Sequence, residues 1–216
     1  MIKSISLSQT RDMMIYVSQQ IISNQDYLNK VDRAIGDGDH GVCMARGFEK
    51  VIEMLNTKCP ENIADLFLSI GNEFISSVGG SAGIIFGTFF RSGGKALIDK
   101  QVLDSSCFAD FLQNALDAIM KRGGAKPGDK TMIDALDPAT IKAREINKGI
   151  FSNTLNSIAD AAHNGMENTK SMKANIGRAK TYGDNTIGHP DPGAITTYLI
   201  LRFMSDFVNG LQSNSE

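Results

Sequence analysis

Residues 31–48 read VDRAIGDGDHGVCMARGF, and the fold class turns on what leads into their glycines. Residues 36–41 satisfy the G-x-G-x-x-G spacing of a dinucleotide-binding turn, which would announce a strand, a parallel sheet and an α/β protein. Two observations reject that reading. Asp37 and Asp39 stand inside the turn, where they would repel a pyrophosphate, and no strand pattern precedes them. Instead Met13, Val17, Ile21 and Tyr27 or Leu28 follow one another at helical intervals, predicting a helix over about 8–33 with a break near Asn24. The turn joins helix to helix.

Outward from this turn, apolar residues keep a three- and four-residue spacing. It predicts further helices over 41–55, 63–78, 83–98, 106–122, 131–147, 150–169 and 191–211, with strand-like alternation scarce. Pro127 and Pro138 read as flanking the sixth of these eight helices, so that no helix interior holds a proline. Asp191 reads as an N-cap with Pro192 at the first helical position. No repeat, linker or low-complexity block interrupts the pattern. The expectation is one all-α domain over residues 1–216, built from seven or eight amphipathic helices.

Composition bounds the function. The 216 residues are 42% hydrophobic and 21% charged, ordinary proportions for a globular chain. A net charge of −2 and a pI near 5.9 leave no electrostatic footprint for nucleic acid or an anionic membrane. No 18-residue apolar run occurs, and Lys3, Arg11 and Asp12 interrupt the first residues where a signal peptide would need an apolar stretch. Cys43, Cys59 and Cys107 are odd in number and far apart, which fits reduced thiols and a cytoplasmic protein.

The breaks between helices carry the chemistry. They read GDGDHG at 36–41, GGSAG at 79–83, GGAKPGDK at 123–130 and GRAKTYGDNTIGHPDPG at 177–193. Glycine-rich breaks that open a helix expose free N–H groups at its positive end, where phosphate is attracted. Asp32, Asp37 and Asp39 fall within eight residues; so many carboxylates in one turn call for a cation, and an all-oxygen donor set suits Mg²⁺. The alternative is a capped, solvated acidic turn. An EF-hand is excluded, because the twelfth position from Asp37 is Phe48 rather than Glu.

Segment 79–94 suits either close approach of a phosphate or close packing of helices. Segment 122–139 resembles a P-loop until Asp129, which separates Gly128 from Lys130, and no strand precedes it. Lys126, Lys130 and Thr131 remain candidates to touch a nucleotide there. Arg178 offers a bidentate fork for phosphate oxygens. His189 reads either as a phosphoryl acceptor or as a polar loop histidine, with the second preferred. No nucleophilic triad can be assembled.

Taken together and in order, these segments resemble the L domain of the dihydroxyacetone kinases. The family's acidic run is met by Asp32, Gly36, Asp37, Asp39, His40 and Gly41. Its Gly-Asp-Lys-Thr-Met-x-Asp run is met by residues 128–134, and its Gly-His-x-Asp-Pro-Gly-Ala run by residues 188–194. The resemblance implies a barrel of about eight antiparallel helices with the nucleotide and metal site in loops at one end. It implies two Mg²⁺ ions on Asp32, Asp37 and Asp39, clamping the phosphates of ADP or ATP. By the same resemblance His40, Gly41, Val42, Cys43, Ser81, Ala82, Gly123, Met132, Arg178, Asp191, Pro192 and Gly193 line the nucleotide site, and Arg178 steadies the transition state.

A chain this short has no room for a sugar-binding domain. The resemblance therefore points to the phosphotransferase-system form. In that form a phosphohistidine (M-type) subunit rephosphorylates bound ADP, and the ATP so made serves a hydroxyketone held on a separate K subunit; a regulator is a further partner. An ATP-dependent subunit with exchangeable nucleotide, or a regulatory module reading nucleotide state, stay open as alternatives. The chain departs from the family at Cys43, commonly Asn, and at Ser81-Ala82, commonly Ala-Ser.

Overall fold

The computed structural model describes residues 1–213, with side chains described to residue 211. It is all-α apart from one two-residue ladder. The helices are α1 (Leu7–Ser23), α2 (Gln25–Asp32), α3 (His40–Thr57), α4 (Ile63–Ser77), α5 (Gly80–Lys95), α6 (Ser105–Gly123), α7 (Ile133–Glu145), α8 (Phe151–Asn168) and α9 (Pro192–Ser213). Of the domain expected over 1–216, residues 214–216 lie outside the described residues.

Local chemistry sets the helix ends. Ser6 caps α1 in a reciprocal box with Gln9, and Asn62, Asp104 and Asp191 accept N–H groups in the first turns of α4, α6 and α9. The predicted break near Asn24 is real: Asn24 turns its side-chain amide back onto the Gln20 carbonyl, and α2 leaves in a new direction.

Packing closes the helices into a ring. Each of α3 to α9 packs on the next, and α9 returns to pack on α1, which packs on α3; α2 lies outside this circuit, against α3 and α9. The interior is aromatic. Phe48 and Phe74 meet edge-on at 4.9 Å, Phe67 and Phe111 lie 4.8 Å apart, and Phe89 and Phe90 5.0 Å. These rings, with Met13, Met14, Val17 and Ile21 of α1, are almost wholly removed from water. Each contributes roughly 1.5–3 kcal/mol by burial.

The structure corrects three expectations. Pro138 sits inside α7 rather than beside it. The proline cannot donate to the Asp134 carbonyl four residues back. The backbone of Gly165 on α8 packs there, so close that a Cβ on Gly165 would stand 2.1 Å from that oxygen. The helix expected from residue 83 begins at Gly80, which moves Ser81 and Ala82 from a loop into its first turn. Finally, Ser4–Ile5 (β1) pairs antiparallel with Leu103–Asp104 (β2), too short a ladder to leave a periodic signal. Among the described residues no helix is long and apolar enough to cross a membrane.

Candidate functional site

Because neighbouring helices alternate in direction, α3, α5, α7 and α9 all begin at one end of the ring. Their opening residues, His40, Ile133 and Pro192 at the first position and Ser81 at the second position of α5, border a single cavity of about 300 Å³. Gly123, the last residue of α6, also borders it. Four positive helix ends facing one space make an anion site from backbone alone. The cavity wall is apolar at Ile35, Ile85, Phe86, Ile119, Met132, Ile133 and Ile176 and polar at Asp32, His40, Lys130, Thr131, Arg178 and Asp191.

The acidic turn forms the rim. One carboxylate oxygen from each of Asp32, Asp37 and Asp39 lies within 4.8 Å of the others. Asp32 is anchored at the end of α2, and its Oδ2 accepts N–H groups from Gly38 (2.8 Å) and His40 (3.4 Å). Those bonds curl the turn back on itself and force the carboxylates together. Oxygen-only donors at this separation fit a small hard dication.

Of the residues expected to bind nucleotide, His40, Ser81, Ala82, Gly123, Met132, Arg178, Asp191, Pro192 and Gly193 border the cavity. Gly41, Val42 and Cys43 do not. Gly41 is pressed against α2, where a Cβ would stand 2.0 Å from the Gln25 carbonyl oxygen. The Val42 N–H donates to Asn29 Oδ1 at 3.1 Å, and the Cys43 N–H to the Asp39 carbonyl at 2.9 Å. Gly41 and Val42 seat the turn on α2, a role that Asn29 shares and that its place on a polar helix did not signal, while Cys43 makes the first backbone bond of α3.

His40 spends its ring on α9: Nε2 lies 2.8 Å from Thr196 Oγ1, and the ring tilts against Phe86. Desolvation lowers its pKa from 6.5 to about 4, against the pull of Asp32, so the imidazole is neutral at physiological pH. Asp191 caps α9 by accepting from Ala194 at 2.8 Å. Burial raises its pKa to about 7, opposed by the Ala194 N–H.

Arg178 opens a 3-10 segment, Arg178–Thr186, in what the sequence suggested was plain loop. Its guanidinium pairs with Asp37, tying it to the acidic turn. Tyr182 reinforces that approach, donating its hydroxyl hydrogen to the Gly36 carbonyl at 3.0 Å. His189 is exposed, and its carbonyl rather than its ring is engaged, by Lys130.

Lys130, a candidate to touch a nucleotide, borders the cavity. Its side chain is nonetheless buried, 1% exposed, and its ammonium donates to four backbone carbonyls. A second depression, lined by Arg91, Lys95, Lys121 and Arg122, has neither carboxylates nor a glycine-rich helix start, and offers no comparable metal and phosphate chemistry.

Comparison with known proteins agrees with this geometry. Residues 34–206 match the DAK2 domain family. The chain is 33% identical over 204 residues to the ADP-binding subunit DhaL of a PEP-dependent dihydroxyacetone kinase from Escherichia coli, covering 94% of this chain and 97% of that one. It is 34% identical to the corresponding subunit of dihydroxyacetone kinase 1 from Listeria innocua, covering 86% and 89%. The fold superposes, with a TM-score of 0.76 and 26% identity, on the dihydroxyacetone kinase from C. freundii solved with AMP-PNP and Mg²⁺. That match spans 95% of this chain and 35% of the larger kinase.

Proposed function

The chain belongs to the DAK2 domain family, alongside ADP-binding DhaL subunits of dihydroxyacetone kinases, and from that premise we propose that it is the nucleotide-carrying subunit of such a kinase. In this reading it works in the cytoplasm as one domain over residues 1–216, without a nucleic-acid or membrane partner. It takes a phosphoryl group from a phosphohistidine-bearing M-type subunit and passes it, through ADP and ATP held in its cavity, to a small hydroxyketone on a separate K subunit. The observation that carries the reading is the meeting of four helix N-termini with three clustered carboxylates at one apolar-walled cavity.

Each part has a task that its chemistry suits. The apolar wall formed by Ile85, Phe86, Ile119 and Met132 suits a nucleobase, which gains by leaving water. The backbone N–H groups at Ser81, Ala82 and Gly193 suit phosphate oxygens. Asp32, Asp37 and Asp39 would hold two Mg²⁺ ions, which neutralise polyphosphate charge when bound. Neutral His40 and the bonds from Gly38 and His40 to Asp32 keep the carboxylates in place without a competing positive charge. Arg178, already over the acidic turn, is positioned to stabilise charge on the transferring group.

The test is reconstitution with K and phosphodonor subunits, after identifying by mass spectrometry the nucleotide that copurifies. Retained ADP and phosphoryl transfer to dihydroxyacetone are the expected results. Nucleotide binding with no transfer to any hydroxyketone would make the chain a regulatory module; ADP exchanging with free ATP at every turnover would make it an ATP-dependent subunit.

A further inference from the structure

Lys130 is the largest charged side chain in the interior, and its four contacts share a pattern. Its Nζ donates to the carbonyls of Thr169 (2.6 Å), Met172 (3.1 Å), Thr186 (2.8 Å) and His189 (2.6 Å). Two of these lie where the chain leaves α8, and two where it returns to α9. One ammonium thus pinches together both strands of the neck of a loop. The loop beyond the neck carries Arg178 and Tyr182 to the acidic turn.

Other bonds cross the same neck. The Ala174 N–H donates to Thr186 Oγ1 at 3.0 Å, and the Gly188 N–H to the Lys170 carbonyl at 2.7 Å. The Asn175 side-chain amide donates to Asp129 Oδ1 at 3.1 Å. Lys130 itself adopts φ of 60°, a left-handed backbone that a lysine enters only under constraint. Three hydrogens on a compact ammonium can serve four convergent carbonyls by sharing one. An arginine fork is planar and too large for a side chain left 1% exposed.

We propose that Lys130 is a positioning residue for phosphoryl transfer, holding the loop neck so that Arg178 is presented over the acidic turn. This rests on the transition-state role of Arg178 in the function proposed above. The lysine acts through that arginine, its ammonium hydrogens being taken up by backbone carbonyls. The glycine-rich segment that only resembles a P-loop is, at Lys130, a clasp.

A double-mutant cycle tests it. Turnover is measured with partner subunits in excess, and Mg-ADP affinity by calorimetry, for Lys130→Met, Arg178→Lys and the double variant. Lys130→Met is expected to lower kcat by at least about tenfold and to weaken Mg-ADP by less than about threefold. In the Arg178→Lys background it should lower kcat by less than about twofold more, because the arginine it positions is gone. Losses that multiply would overturn the inference, as would an ADP affinity falling as far as kcat.

If Arg178→Lys alone turns over like wild type, the role of Arg178 falls and this inference with it; multiplying losses leave that role standing and remove only Lys130. Should Lys130→Met fail to fold, Thr186→Val carries the same cycle. It removes the hydroxyl that accepts from Ala174 but keeps volume and the buried cation. It should slow turnover at least about threefold alone and less than about 1.5-fold on Arg178→Lys; equal factors in both backgrounds overturn the proposal.

Discussion

Asp39→Asn isolates the charge of the acidic turn from its architecture. The Asp39 side chain makes no capping bond at the start of α3, and the carbonyl that accepts from Cys43 survives the substitution. Its carboxylate lies within 4.8 Å of those of Asp32 and Asp37. At that separation each carboxylate pair repels by about 0.9 kcal/mol in water, and by about 3.5 kcal/mol at an effective dielectric of 20.

A dication at the centre, about 2.8 Å from each oxygen, is attracted to each by about 3 kcal/mol even at the dielectric of water. Removing Asp39 loses that attraction, while the two repulsions it relieves are felt with and without the ion and so cancel from the affinity. The loss is about 3 kcal/mol, on the order of a hundredfold in affinity at the dielectric of water. Calorimetric titration of Mg²⁺ in the presence of ADP should therefore show at least about tenfold weaker binding. Without metal, ADP affinity should hold or rise, and the melting temperature of the free protein should hold or rise as two repulsions are relieved. Mg²⁺ affinity within twofold of wild type would refute the assignment of these carboxylates to a metal.

Saturating Mg-ADP at about a hundred times its dissociation constant should add roughly 2.7 kcal/mol of stability; an unmoved melting temperature would mean that these loops do not form one ligand site. Arg178→Lys keeps the charge but loses the planar fork, so turnover should fall at least about tenfold, or about 1.4 kcal/mol of barrier, with a smaller change in nucleotide affinity; equal turnover returns Arg178 to a surface ion pair. Asp191 has its pKa raised to about 7 by burial, so its neutral form is the one the fold favours, and its contribution to stability is lost as pH rises from about 4 through 7. Asp191→Asn, which still accepts the Ala194 N–H, should gain on wild type in chemical denaturation across that window, and a gap constant with pH would contradict it. Gly41→Ala places a methyl 2.0 Å from the Gln25 carbonyl oxygen and should destabilise the fold by about 2 kcal/mol or more; unchanged urea unfolding would show that α2 can move away.

What could be read in the sequence was whatever a short stretch of chain decides by itself. Helical spacing located the helices because each buries one face against the same core, and that face repeats every three or four residues. Asp32, Asp37 and Asp39 could be grouped because eight residues of tight turn leave carboxylates little room to separate. Asp191 and Pro192 marked the start of α9 because capping is local chemistry.

The first misreading was itself local. Pro138 was placed at a helix edge, but a proline in the second turn forfeits one bond, and the approach of Gly165 from α8 fills the gap. Lys130 was kept as a candidate to touch a nucleotide because a lysine among glycines near a helix start usually points outward. Nothing nearby in sequence announces four carbonyls 39 to 59 residues away.

Tertiary structure decided the rest, and one physical cause covers it. Closing the ring brings the starts of α3, α5, α7 and α9 to one end, and with them residues that share no local pattern. His40 meets Thr196 across 156 positions, and Tyr182 meets Gly36 across 146. Sequence by itself determined which segments are helices and which turns hold charge, since backbone periodicity and capping act over a few residues. Which turns share a cavity, and which lysine became a clasp, depended on how an aromatic core packs, a matter of volume and contact summed over the whole chain.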